Sequence, residues 1–219
     1  MRPDSSLPGL ARFLRVCRLH GLLAEEEPPT QAILDSETLI AGQPCDPLLA
    51  ALHARVGYLR MHEGVLLLRL VDPQKFDLVS VNEDWRRDWP EPVRSLLVFA
   101  KEHALAYYYA TVPCLKSSEG LQPVVKANVY EEPYALPLAS NIDRFFSSYA
   151  RYLEVLIADP DYEEYGAAAL SFPWGVPEIL AEDLPLVEML RAGRFDFLME
   201  KNVDARQWVS QVLAASVRR

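Results

Sequence analysis

Apolar positions recur at three- and four-residue intervals at both ends of the chain and at shorter intervals in its middle. That change of period predicts helices flanking a block of strands. Leu10, Phe13, Leu14, Cys17 and Leu22 give residues 7–23 one apolar face, so the spacing predicts an amphipathic helix with its stop near Gly21. EEEPP at 25–29 reads as a loop, and Thr30 as the cap of a second short helix through Ile40, closed by AGQP at 41–44. Asp46 followed by Pro47 is an N-cap and first-turn pair, which predicts a helix over 47–55 ending at Gly57.

The period then shortens. VGYLRM and GVLLLRLV flank His62–Glu63 and predict a hairpin whose second strand is almost wholly buried. Pro90 and Pro92 argue against a long helix in 74–93, which therefore reads as a loop with at most one helical turn. Leu96–Ala100, Ala104–Thr111 and Leu121–Tyr130 are three further predicted strands, the last delayed or placed at an edge by Pro123. EEPYALPLAS reads as a link. Ser140 or Asn141 caps a helix whose inward face is Ile142, Phe145, Phe146, Tyr149, Leu153, Leu156 and Ile157, and Asp159-Pro160 stops it. The remainder is helical, punctuated by Pro173, Pro177 and Pro185, with helices over 186–191 and 202–217. Helices, then strands, then helices predict an α+β fold, a central antiparallel sheet packed by N- and C-terminal helices. The expected organisation is an N-terminal helical region (1–45), an α+β core (46–158) and a C-terminal helical extension (159–219).

Charge narrows the function. A net charge of −9 leaves no positive footprint for nucleic acid. It suits a basic protein partner, because complementary fields speed encounter. No apolar run approaches the ~20 residues of a membrane span. The isolated thiols Cys17, Cys45 and Cys114, with no apolar leader pattern at the start, point to a reducing compartment, the cytoplasm.

The common catalytic motifs are missing. The histidines His20, His53, His62 and His103 stand in no metal-binding spacing, the cysteines form no CxxC, and neither a GxSxG elbow nor a glycine-rich phosphate loop occurs. No catalytic residue, metal or cofactor is therefore expected. The alternative is a small enzyme with a thiol at Cys114 served by His103 in the same hairpin, or a regulatory scaffold. The carboxylate pairs Glu131–Glu132, Asp159 with Asp161, and Glu163–Glu164 lack accompanying histidines and read as an acidic rim. Strand alternation puts Tyr107 and Tyr109 on one face and Tyr108 on the other, and phenols are favoured at contact surfaces. Trp85 and Trp89 stand four residues apart in the charged stretch NEDWRRDW, which also reads as a contact patch. Tyr107, Tyr109, Trp85, Trp89, Glu131, Glu132, Asp159, Asp161, Glu163 and Glu164 are the expected partner-binding residues.

LLVFAKEHALAYYYATVP (96–113) resembles the central hairpin of the SMI1/KNR4-like, or SUKH, superfamily. That pattern is an apolar strand ending in Phe-Ala, a turn and a tyrosine-rich strand. Asn128-Val129-Tyr130-Glu131-Glu132 is similar to the family's following strand end, and Ala139–Phe146 with Tyr149–Leu156 to its closing helix. Pro47–Leu52 resembles the family's helix before the sheet. The resemblance spans roughly 45–158, with Lys101-Glu102-His103-Ala104 where the family's turn is rich in glycine and aspartate. It implies a non-catalytic protein-binding module of the bacterial immunity type, which neutralises a cognate toxin by direct binding.

Overall fold

The computed structural model describes residues 7–29, 34, 38–72, 76–103, 105–130 and 132–218, and in it the change of period marks a seven-stranded antiparallel sheet with helices at both ends. In chain order the elements are α1 (Pro8–Leu19), β1 (Leu23–Glu27), β2 (Leu39–Ile40), β3 (Gln43–Pro44), α2 (Pro47–His53), β4 (Tyr58–Met61), β5 (Val65–Leu67), α3 (Leu78–Asp88), β6 (Leu97–Glu102), β7 (Tyr107–Thr111), β8 (Val124–Asn128) and β9 (Tyr134–Ala139). Helices α4 (Ile142–Ile157), α5 (Tyr162–Tyr165), α6 (Pro177–Leu180), α7 (Leu184–Arg191) and α8 (Val203–Val217) follow. The sheet runs β1-β4-β5-β6-β7-β8-β9, and β2 pairs β3 apart from it.

Helix α4 lies on one sheet face. Phe99 and Tyr109 meet Phe145 across it at ring-centroid distances of 5.9 and 5.0 Å. Helix α1 packs against α4 through Phe13, whose ring lies 5.2 Å from that of Phe146. The crossing is close because position 9 is glycine: a Cβ there would fall 2.1 Å from the carbonyl oxygen of Asp143. Leu7 offers α1 no side-chain cap. The carboxylate of Asp143 supplies one from the neighbouring helix, accepting from the N–H groups of Gly9 (2.8 Å) and Leu10 (3.2 Å). Asn141, rather than Ser140, caps α4, and Ser140 is instead held by Asp183 of the tail.

Four segments differ from expectation. EEE at 25–27 belongs to strand β1, not to a loop; it is the sheet edge, where charged side chains discourage pairing with another chain. Most of the helix expected from Thr30 lies outside the described residues, and its last two, Leu39–Ile40, form β2. Residues 1–45 thus contribute strands as well as a helix. The stretch around NEDWRRDW is the helix α3 rather than a loop, capped by the Asp77 carboxylate on the N–H groups of Val79 and Ser80. Pro90 lies beyond its end at Asp88, so the prolines terminate the helix and do not forbid it. YALPLA is strand β9. Pro137 is tolerated there because β9 is the other edge, paired only to β8.

His53, at the end of α2, is buried, and neither ring nitrogen has a hydrogen-bond partner. Burial pulls its pKa down from 6.5 to about 4. Between those values the unfolded chain binds a proton that the folded chain refuses, so this residue removes stability as pH falls through that window. His53→Leu, which deletes the unpaired polar atoms, is expected to stabilise the fold by ~1–3 kcal/mol at pH 7. The advantage over the parent should widen by roughly 3 kcal/mol at pH 4. Urea unfolding at the two pH values reads both numbers; a difference that does not vary with pH would mean the imidazole is solvated.

Candidate functional site

The register of the central strands builds a polar row on the α4 face of the sheet. Tyr109 stands opposite Lys126 and Lys126 opposite Leu136; one pleat further, Tyr107 stands opposite Asn128 and Asn128 opposite Tyr134. These rows border a recess of about 980 Å³ that also takes in Glu102 and His103, the Met61–Gly64 turn and the second half of α4. Its outer wall comes from the tail, through Tyr162, Ala167, Phe172 and Trp174.

The inner polar group is an ion pair. Lys126 Nζ lies 2.5 Å from Glu102 Oε1, and the two side chains keep 9% and 14% of their exposure. Tyr109 donates its hydroxyl to the same Oε1 at 3.0 Å. Lys126 also donates to the carbonyl of Phe172 at 3.0 Å, and its ammonium sits 4.5 Å from the centre of the Tyr107 ring.

Three ties hold the tail against this site, and each uses tail backbone. The Ala167 N–H donates to Glu63 Oε2 (3.2 Å), the Tyr152 hydroxyl to the Leu170 carbonyl (3.0 Å), and Lys126 to the Phe172 carbonyl. Phe172 then stacks its ring against Tyr149 and Tyr152 at 4.8 and 5.0 Å.

The phenols are not bases. Burial, reinforced by the negative charge of Glu102, holds the hydroxyls of Tyr109, Tyr149 and Tyr152 protonated well above the ordinary tyrosine value. They act as hydrogen-bond donors and as ring faces.

The structure sorts the expected partner-binding residues. Tyr107 is half-buried and lines the recess. Asp161, Glu163 and Glu164 are exposed, and Asp159 half-buried, around Tyr162 of the outer wall. Glu132 is exposed in the β8–β9 turn, between Asn128 and Tyr134 of the recess, while Glu131 lies outside the described residues. Two of the expected contact side chains are buried. Tyr109 shares a face with Tyr107 as alternation requires, but it is fully buried under α4 and exposes no contact surface. Trp85 is buried too, because α3 turns it inward: its indole N–H donates to the Val93 carbonyl and its ring lies 4.9 Å from Tyr108 on the opposite sheet face. Trp89, half-buried, packs on Trp85 at 6.0 Å and is not part of the recess lining.

The thiol alternative gains no geometry. His103 follows β6, and Cys114 follows the far end of β7, so the four steps of that strand alone separate them by about 13 Å. Burial also raises the Cys114 thiol above its ordinary pKa, away from the thiolate form. Among the described residues no group of three or more histidine, cysteine, aspartate or glutamate side chains is placed to hold a metal ion. No helix among them is long and apolar enough to cross a membrane.

Glu102 and Lys126 were not foreseen. A signal existed: Lys126 interrupts the apolar run VVKANV at a mid-strand position where a charge needs a partner. Comparisons with protein-family models, curated proteins and solved structures find no match.

Proposed function

We propose that this chain is a non-catalytic protein-binding module of the SUKH type, and that the recess with its acidic rim is where a basic partner docks. In the immunity reading the partner is a toxin, neutralised by direct binding in the cytoplasm. The observation that carries this is one juxtaposition. The segment supplying the aromatic outer wall of the recess also carries Asp161, Glu163 and Glu164 on its exposed side. Aromatic anchors inside a charged rim are the arrangement that tight protein contacts use.

The experiment is co-expression of the tagged chain with the products of the genes beside its own. A partner that arrests growth when expressed alone, and is tolerated with this chain, supports the reading. A well-folded chain that retains no partner and relieves no toxicity overturns it. With such a partner in hand, Glu163→Lys with Glu164→Lys is expected to slow association about tenfold at low salt, because rim charges act on the encounter rate. Folding should be unchanged, since both side chains are exposed. Stopped-flow association at two salt concentrations measures it, and an unaltered low-salt rate would move the interface elsewhere.

A further inference from the structure

We infer that the recess is a subsite for a guanidinium or ammonium group, the tip of a basic side chain on the partner's contact segment, and that Glu102 is its receiving carboxylate. This rests on the protein-binding reading above and specifies what enters the recess.

Four observations converge. The lining is rich in ring faces, Tyr107, Tyr134, Tyr149, Tyr152, Phe172 and Trp174 among them. Ring faces are electron-rich and attract cations, most strongly where water is excluded. Among the described residues, both side-chain contacts to the Glu102 carboxylate fall on Oε1, from Lys126 and from Tyr109, and Oε2 is the atom a donor arriving through the recess would meet. With the imidazoles of His20, His62 and His103 neutral, the charges of the lining are the carboxylates Glu63 and Glu102 against the single ammonium of Lys126, so an anion would meet the wrong sign. Lys126 itself shows the preference: the protein's own ammonium is seated on the Tyr107 ring, a backbone carbonyl and the Glu102 carboxylate.

The incoming cation shares Glu102 with Lys126, and this fixes the sign of two substitutions. Lys126→Met removes the internal competitor and should tighten cation binding. Glu102→Gln with Lys126→Met removes the pair together, leaves no unmatched buried charge, and should abolish binding in a folded chain.

The test is an NMR titration of the ¹⁵N-labelled full chain with N-acetyl-arginine amide. N-acetyl-citrulline amide, of the same shape but neutral, and N-acetyl-glutamate amide serve as comparisons. The arginine compound is expected to shift the amides of Gly64, His103, Tyr107 and Ala167, and to bind at least about tenfold more tightly than the citrulline compound, the scale of one charge-assisted contact. Lys126→Met should strengthen it about threefold or more, and the double variant should lose it while melting cooperatively. Equal binding of arginine and citrulline compounds, preference for the glutamate compound, or shifts gathered at Glu25–Glu27 instead would overturn the inference. Its failure is separable from that of the binding reading. A neutralised partner whose affinity drops with the Glu163 and Glu164 reversals, yet is indifferent to the double variant, keeps the interface and removes the subsite.

Discussion

Truncating Phe145 to alanine is expected to lower the stability of the fold by ~3–5 kcal/mol. Phe145 is fully buried and is the ring through which α4 meets the sheet. It stands 5.9 Å from Phe99 and 5.0 Å from Tyr109, and touches Phe146 and Tyr149 on its own helix at 5.1 and 5.8 Å. The surrounding rings are anchored on three different elements, so the cavity left behind cannot collapse without moving one of them. Urea unfolding gives the number. An unchanged midpoint would mean that α4 is not held to the sheet by this ring.

Glu102→Gln alone carries a comparable cost, ~3–5 kcal/mol, for a different reason. It leaves the Lys126 ammonium, whose side chain is 9% exposed, without its counter-charge. The remaining partners, the Phe172 carbonyl and the Tyr107 ring, do not neutralise it. Adding Lys126→Met removes the unmatched charge, and the double variant should return to within about 1–2 kcal/mol of the parent. Equal losses in the single and double variants would show that packing around Glu102, and not its charge, sets the stability. The recovery on adding the second change is the informative quantity, because the two residues touch and their effects should not add.

What local pattern specifies, the sequence disclosed. The 58–67 hairpin, the β6–β7 hairpin and the inward face of α4 follow from spacing alone, because each buries one periodic set of side chains. The alternation of Tyr107, Tyr108 and Tyr109 was equally legible; what it could not give was which face another element would cover. The elements missed are those whose residues argue against their own conformation. Strand β1 is acidic because it is an edge, β9 contains a proline because it is the other edge, and α3 has a narrow buried stripe of Leu78, Asn82 and Trp85 among charges. In each case a tertiary setting overrode local preference. The recess was hidden for a simpler reason. Its lining is drawn from His20 to Trp174, and no period in the sequence links a turn after β4 to a tail beyond α4.

Three of the ties between the tail and the core run through main-chain atoms, at Ala167, Leu170 and Phe172. Every residue type except proline at 167 offers those same atoms. The exposed side chains of this segment, Asp161, Glu163 and Glu164 among them, can therefore be exchanged while its path stays pinned by those atoms and by the Phe172 ring, and the charge pair on β6 and β8 need not change with them. Such a scaffold is re-addressed cheaply. On the protein-binding function proposed above, drift in one short stretch would alter which partner the mouth accepts, as a loop does on a conserved framework, while the sheet beneath goes on supplying the same foundation.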